Sequence, residues 1–117
     1  MKHTLLLLFL LLAGTFTLSA QSDYYAKKAA EYTREAEYYQ KKADGYRREA
    51  EYYLKQAANY THEAEYYLKR GDTSRAGNYQ RYAKDATDKA NTQLRWAREA
   101  EEKAAMYLKW AADALRR

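Results

Sequence analysis

The residues best suited to chemistry form a regular row of cations in the first half of the chain. A basic or titratable side chain recurs at every seventh position, at Lys27, Arg34, Lys41, Arg48, Lys55, His62 and Lys69. Tyrosine pairs accompany the row, and the first members of the pairs are Tyr24, Tyr38, Tyr52 and Tyr66. Cations interleaved with aromatic rings can hold an anionic polymer, such as nucleic acid or an envelope polysaccharide, by charge and by stacking. We therefore treat the five cations from Lys27 to Lys55 and these four tyrosines as candidate contacts with a polymer or another partner.

The same cations have a simpler interpretation as members of surface ion pairs. An acidic residue stands four positions before several of them, which is the favourable order for a pair on a helix. The predicted pairs are Glu37–Lys41, Asp44–Arg48, Glu51–Lys55 and Glu65–Lys69. Charges paired in this way mainly solvate a helix, so ion pairing is favoured over polymer binding.

Residues for catalysis and metal binding are scarce. The histidines are His3 and His62, and cysteine is absent. Neither a histidine-based catalytic triad nor a multi-histidine metal site can be assembled from this set. There is also no glycine-rich phosphate loop. The sequence therefore predicts a protein that is not an enzyme, with no cofactor, no metal and no small-molecule substrate.

A fourteen-residue repeat positions the tyrosines and the cations. It reads YYAKKAAEYTREAE from Tyr24, YYQKKADGYRREAE from Tyr38 and YYLKQAANYTHEAE from Tyr52. Within it, Tyr recurs every seventh residue from Tyr25 to Tyr67, and Ala recurs every seventh residue from Ala29 to Ala64. The spacing between the two rows alternates between four and three residues, which is the pattern of a coiled-coil seam.

A turn divides the repeat into two helices. Lys69-Arg70-Gly71-Asp72-Thr73-Ser74 places cations and Gly at the end of one helix and capping residues at the start of the next. We predict helices over 24–70 and 74–116 with a turn at 70–74, and Asp23 as the N-cap of the first helix. The fold class is all-α, an antiparallel two-helix coiled-coil hairpin that can dimerise into a four-helix bundle. One continuous helix that dimerises is the rival architecture, and the turn sequence argues against it.

The second helix has an Ala row of its own, which predicts how the two helices pair. The row runs through Ala76, Ala83, Ala90, Ala97, Ala104 and Ala111. Centring the hairpin on Gly71 and Asp72 sets each bulky seam residue against a small one. The pairs include Tyr67 with Ala76, Tyr39 with Ala104, Tyr32 with Ala111, Ala64 with Tyr79 and Ala36 with Tyr107. A register shifted by one heptad would keep most of these pairs, so both registers stay open.

Apolar residues beside the seam of the second helix suggest contact with further helices. Tyr82, Trp96 and Trp110 recur every fourteen residues on one side of the seam, and Leu94, Leu108 and Leu115 lie on the other side. A face this wide predicts self-association, or docking of another protein or of lipid, and the candidate oligomer contacts are Tyr82, Leu94, Trp96, Leu108 and Trp110. The alternative is that the rings fold over the edges of their own hairpin.

Residues 1–20 have the pattern of a cleaved signal peptide. A short basic start precedes the apolar run from Leu5 to Ala13, and Ala20 offers a small residue at the cut. A membrane anchor is the alternative, but the run is shorter than the roughly 20 residues that span a bilayer. Beyond Ala20, 20 Lys and Arg face 16 Asp and Glu, because Lys2 is removed from the total of 21. This mild surplus permits anionic partners without requiring them.

These features predict an exported chain, periplasmic or secreted. The leading function is a coiled-coil structural or protein-interaction module of the cell envelope or extracellular space, whose partner is a second copy or another protein. The alternative is a binder of anionic polymers through the basic row, and a membrane-active helix pair is a third, weaker interpretation. Arg70-Gly71-Asp72 also matches an adhesion tripeptide, but turn formation already explains these three residues.

Overall fold

The fold consists of two long α-helices joined by a tight turn. The computed structural model describes residues 20–117, in which α1 spans Ala20–Lys69 and α2 spans Thr73–Leu115. The predicted all-α helical hairpin is therefore confirmed. Apart from Ala20, the predicted signal peptide lies outside the described residues. Asp23 stands within the first turn of α1, not before it, so the predicted N-cap is wrong. Its carboxylate still complements the positive end of the helix dipole there.

The turn satisfies backbone groups of both helices with very few residues. The amide of Gly71 donates to the carbonyl of Leu68 (3.1 Å), and the amide of Asp72 donates to the carbonyl of Tyr67 (2.9 Å). This double closure requires a left-handed residue, and Gly71 supplies it with a φ of 77°. Asp72 then caps α2, because its Oδ1 accepts a hydrogen bond from the amide of Arg75 at 3.0 Å.

Replacing glycine at the turn and within α1 should have opposite effects on stability. Gly71→Ala should lower the free energy of unfolding by about 1–2 kcal/mol, because an L side chain is disfavoured at a positive φ. Gly45→Ala should raise it by up to about 1 kcal/mol, because Gly45 lies in a helix with nothing within 4 Å of its added Cβ. Urea denaturation followed by far-UV circular dichroism measures both. Equal effects of the two substitutions would contradict the turn geometry.

The core is almost entirely alanine. The chain divides into two compact units, a turn unit over Asp44–Arg98 and a terminal unit formed by residues up to Ala43 together with Glu99–Arg117. The turn unit buries Ala50, Ala57, Ala64, Ala76, Ala86, Ala90 and Ala97, and the terminal unit buries Ala29, Ala36, Ala43, Ala100, Ala104, Ala111 and Ala114. The seam tyrosines are only half-buried. Alanine at the contact lets helices approach to the lower end of the usual range, about 8 Å.

Contacts across the seam settle the register within each unit. In the terminal unit, Ala36 and Ala104 form one cluster with Tyr39 and Tyr107 packed against it. In the turn unit, Tyr79 contacts the rings of Tyr60 and Tyr67. These two seam tyrosines lie on either side of Ala64, the predicted partner of Tyr79. The register centred on Gly71 and Asp72 is therefore confirmed, and the register shifted by one heptad is wrong.

The prediction that bulky residues meet only small ones needs correction. Tyr39 stacks on Tyr107 with ring centroids 5.8 Å apart, and Tyr67 stacks on Tyr79 at 5.7 Å. A tyrosine side chain is longer than the gap to the opposing Ala, so its ring lies beside the seam. There it contacts the ring of a seam tyrosine from the other helix. Each unit therefore adds a line of aromatic contacts to its alanine core.

Enlarging a seam alanine should destabilise the hairpin, whereas enlarging its neighbour should not. Ala104 is fully buried, and Ala105 beside it is exposed. Ala104→Leu should lower the free energy of unfolding by about 1–3 kcal/mol, because the added atoms force the helices apart. Ala105→Leu is the matched control and should leave stability within about 0.5 kcal/mol of the parent. Thermal unfolding followed by circular dichroism compares them, and equal midpoints would refute a close alanine seam.

Candidate binding surfaces

The basic row of α1 is fully accessible. Lys27, Arg34, Lys41, Arg48 and Lys55 are all exposed. Within residues 20–117, none of the four predicted ion pairs brings its charged atoms within 4.0 Å. Asp44 instead pairs with Arg47 at 2.6 Å, and Glu65 lies 4.0 Å from His62. His62 belongs to the row itself, whereas the five cations from Lys27 to Lys55 have no carboxylate within 4.0 Å among residues 20–117 and are accessible to an external anion.

The four paired tyrosines, Tyr24, Tyr38, Tyr52 and Tyr66, are 47–56% exposed but are not isolated. Each packs edge-on against the seam tyrosine that follows it, with centroid distances of 5.1–5.4 Å. The cations that lie over three of these rings come from another row. They are Lys28 over Tyr24, Lys42 over Tyr38 and Arg70 over Tyr66. These tyrosines therefore extend the aromatic seam toward the side of α1 that carries Lys28, Lys42 and Arg70.

The candidate oligomer contacts of α2 fall into separate environments. Trp110, Trp96 and Tyr82 each contact a seam tyrosine of α1 at 5.6–5.7 Å, so these rings do fold over the edges of their own hairpin. They remain 41–48% exposed. Leu108 is half-buried against the cluster of Ala36 and Ala104. Leu94 remains exposed at 41%.

Leu94 belongs to a set of exposed leucines that we name the aliphatic edge. Its members are Leu54, Leu68 and Leu94, which are 41–48% exposed and all lie in the turn unit. Each of the three stands four residues after a seam alanine, so all three occupy the same heptad position. In an antiparallel pair of helices, this position on one helix lies beside the same position on the other helix. Sequence reasoning missed Leu54 and Leu68 because it followed the tyrosines of α1, although their heptad position was available as a signal.

Two aromatic grooves form a further surface that sequence reasoning missed. The terminal groove, of about 370 Å³, is lined by Tyr24, Tyr25, Lys28, Tyr32, Trp110, Asp113, Ala114 and Arg117. The turn groove, of about 320 Å³, is lined by Tyr52, Tyr53, Gln56, Tyr60, Tyr82, Asp85, Ala86 and Lys89. Each groove lies within one unit and combines aromatic rings with one carboxylate and at least one cation.

The chain matches no protein-family model, no curated protein and no solved structure. Its function must therefore be argued from its own residues. Among residues 20–117, no group of acidic, histidine or cysteine side chains is arranged to hold a metal ion. Neither described helix contains an apolar stretch long enough to cross a bilayer.

The electrostatics of the described surface are those of exposed helices. The pKa of Lys84 is raised because its ammonium donates a hydrogen bond to Asp88 at 2.9 Å, and the charge of Asp88 adds to this effect. The two residues form an exposed pair one helical turn apart. Such a pair supports a helix rather than a reaction. The aliphatic edge, the basic row and the two grooves are thus the surfaces from which a function can be built.

Proposed function

We propose that the chain is an exported, non-enzymatic helical hairpin that serves as a structural or protein-interaction module of the cell envelope or extracellular space. The observation that supports this proposal is the aliphatic edge of Leu54, Leu68 and Leu94. The partner at this edge is a second copy of the chain. Export is inferred from the signal-peptide pattern of residues 1–20.

The terminal unit shows how the same heptad position behaves when it is covered. Thr33 and Gln40 occupy this position in α1 and are 3% and 8% exposed. Leu108 and Leu115 occupy it in α2 and are half-buried in the core clusters of that unit. In the turn unit, Leu54, Leu68 and Leu94 occupy it and remain 41–48% exposed. Burying one leucine side chain completely is worth roughly 1.5–3 kcal/mol, which favours pairing between two such edges.

Self-association should depend on the aliphatic edge. The parent chain should dimerise in multi-angle light scattering at roughly 100 μM, and Leu54→Gln/Leu94→Gln should shift the mass to the monomer. Met106→Gln is the matched control, because Met106 is also exposed (38%) but lies in the terminal unit. This control should remain dimeric. A monomeric parent chain at that concentration would rule out self-association as the role of the edge.

The basic row supports a second candidate function, the binding of an anionic polymer. The specific observation in its favour is that its five cations have no carboxylate partner within 4.0 Å among the described residues. Each cation that neutralises a phosphate or sulfate group releases counterions, which makes the affinity depend on salt. This mode of binding needs no groove and no sequence specificity.

Charge removal from the row should weaken DNA binding and reduce its salt dependence. For a short DNA duplex, Lys41→Gln/Arg48→Gln/Lys55→Gln should reduce the slope of log affinity against log salt by about 2–3. The matched control is Arg81→Gln/Arg95→Gln/Lys109→Gln, which removes the same charge from exposed positions of α2. Fluorescence anisotropy at several salt concentrations measures both slopes. Equal losses in the two variants would indicate attraction to net charge alone and would exclude the row as a site.

A further inference from the structure

The two aromatic grooves are the same site built twice. Every lining residue of the terminal groove has a counterpart in the turn groove, 28 residues later in α1 and 28 residues earlier in α2. The pairs in α1 are Tyr24/Tyr52, Tyr25/Tyr53, Lys28/Gln56 and Tyr32/Tyr60. The pairs in α2 are Trp110/Tyr82, Asp113/Asp85, Ala114/Ala86 and Arg117/Lys89. The hairpin thus presents two copies of one arrangement of rings and polar groups.

Folding alone does not account for this match in α2. Between the segments Tyr82–Lys89 and Trp110–Arg117, all four groove positions keep their chemical class, which is an aromatic residue, Asp, Ala and a basic residue. Three of the four positions outside the grooves change: Lys84 corresponds to Ala112, Thr87 to Leu115 and Asp88 to Arg116. Asp85 and Lys89 are exposed, and Lys89 also lies over the ring of Tyr53 in α1 at 5.7 Å. The retained pattern follows the groove and not the whole repeat.

Both grooves offer the same recognition chemistry. Their rings meet at steep angles, 79° for Tyr24 with Tyr25 and 70° for Tyr52 with Tyr53, which sets a ring face beside a ring edge. In each groove a lining cation lies over one of these rings, Lys28 over Tyr24 at 5.9 Å and Lys89 over Tyr53 at 5.7 Å. Trp110 closes one groove against Tyr32 at 64°, and Tyr82 closes the other against Tyr60 at 59°. Each site combines a carboxylate that accepts hydrogen bonds with cations that donate them. The terminal groove has Asp113 with Lys28 and Arg117, and the turn groove has Asp85 with Lys89.

This balance of charge excludes several classes of ligand. In the turn groove, where Asp85 and Lys89 balance each other, a polyanion would meet the repulsion of Asp85 and a cationic ligand would meet that of Lys89. The terminal groove has the same two charges and one further cation, Lys28, in place of Gln56. A proline-rich peptide brings carbonyl acceptors but few donors, because Pro lacks an amide hydrogen. It would offer no donor to the carboxylate of the turn groove, which costs binding free energy. The ligand must therefore be uncharged, flat on one face, and both donor and acceptor at its rim.

The geometry points to a carbohydrate. We infer that each groove binds a short segment of a neutral, β-linked glycan, with sugar C–H faces on the tyrosine rings and hydroxyl groups on the Asp and Lys or Arg side chains. A hydroxyl group both donates and accepts, so it can satisfy the carboxylate and the cation together. The volumes of about 370 and 320 Å³ lie at the lower end of the range for ligand sites, roughly 300–1,000 Å³. The inference concerns surfaces separate from the aliphatic edge and the basic row, so it stands or falls independently of both functions proposed above.

Isothermal titration with a β-1,4-linked N-acetylglucosamine hexasaccharide tests the inference. The purified chain should bind two hexasaccharides, and the affinity should change less than about twofold between roughly 50 and 500 mM salt. Tyr24→Ser and Tyr52→Ser should each reduce the stoichiometry to one, and the double variant should bind at least about tenfold more weakly. Tyr66→Ser is the matched control, because Tyr66 is equally exposed and occupies the same heptad position but lines neither groove. This control should retain two sites.

An isosteric substitution that removes one negative charge separates a glycan from an anionic ligand. Asp85→Asn keeps the shape of the turn groove but removes its negative charge, so it should weaken glycan binding there about tenfold. The same change would strengthen binding of a polyanion. Absence of hexasaccharide binding, displacement of the sugar by a DNA duplex, or an equal loss in Tyr66→Ser would each overturn the inference. Circular dichroism should show unchanged helix content in every variant, because all the altered side chains are exposed.

Discussion

Close approach of two helices through alanine is the constraint on which the structure depends. Alanine gives the seam little apolar area, so the chain needs another source of contact between its helices. The seam tyrosines supply it, but their rings cannot fit between helices held together by alanine. They continue sideways to the edges, where Tyr39 stacks on Tyr107 and Tyr67 stacks on Tyr79. The exposed aromatic surface is therefore a consequence of the narrow seam.

Polar residues at or beside the seam limit how well this core can pack. Thr33 is buried and satisfies its hydroxyl by donating to the carbonyl of Ala29 at 2.8 Å. Gln93 stands on the seam of the turn unit, and its Oε1 is buried without a hydrogen-bond partner among the described residues. An unsatisfied buried oxygen costs about 1–3 kcal/mol. A single polar seam residue of this kind can disfavour other registers and oligomers, and this gain in specificity comes at a cost in stability.

Heptad spacing was sufficient to predict the fold and the turn, because these depend on side-chain volume and on capping chemistry. It left two registers open, and only the contacts of Tyr79 and of the Ala36–Ala104 cluster across the seam decide between them. Asp72 and Gly71 act as their residue types require, whereas Asp23 does not cap α1, because the helix already includes residues before it. The surface was harder to predict. Charged side chains on a helix have several partners within reach at nearly equal energy, and Asp44 selects Arg47 over Arg48. The grooves escaped notice because each needs residues from both helices, and their correspondence appears only when the register and the 28-residue spacing are considered together.

Groove residues in α2 differ in kind from those that merely build the seam. An alanine such as Ala86 or Ala114 would be kept by packing alone, since any larger residue would separate the helices. Asp85 and Lys89 have no such role, yet Asp113 and Arg117 repeat their chemistry while Thr87 and Leu115 differ. Thr87 and Leu115 are both half-buried, and Leu115 packs against the cluster of Ala29, Ala111 and Ala114, so the repeat varies even at positions that contact the protein while it keeps opposite charges beside the paired rings. The repeated charges and rings are the groups on which the inferred glycan sites depend, and their retention favours that inference over a role in packing alone.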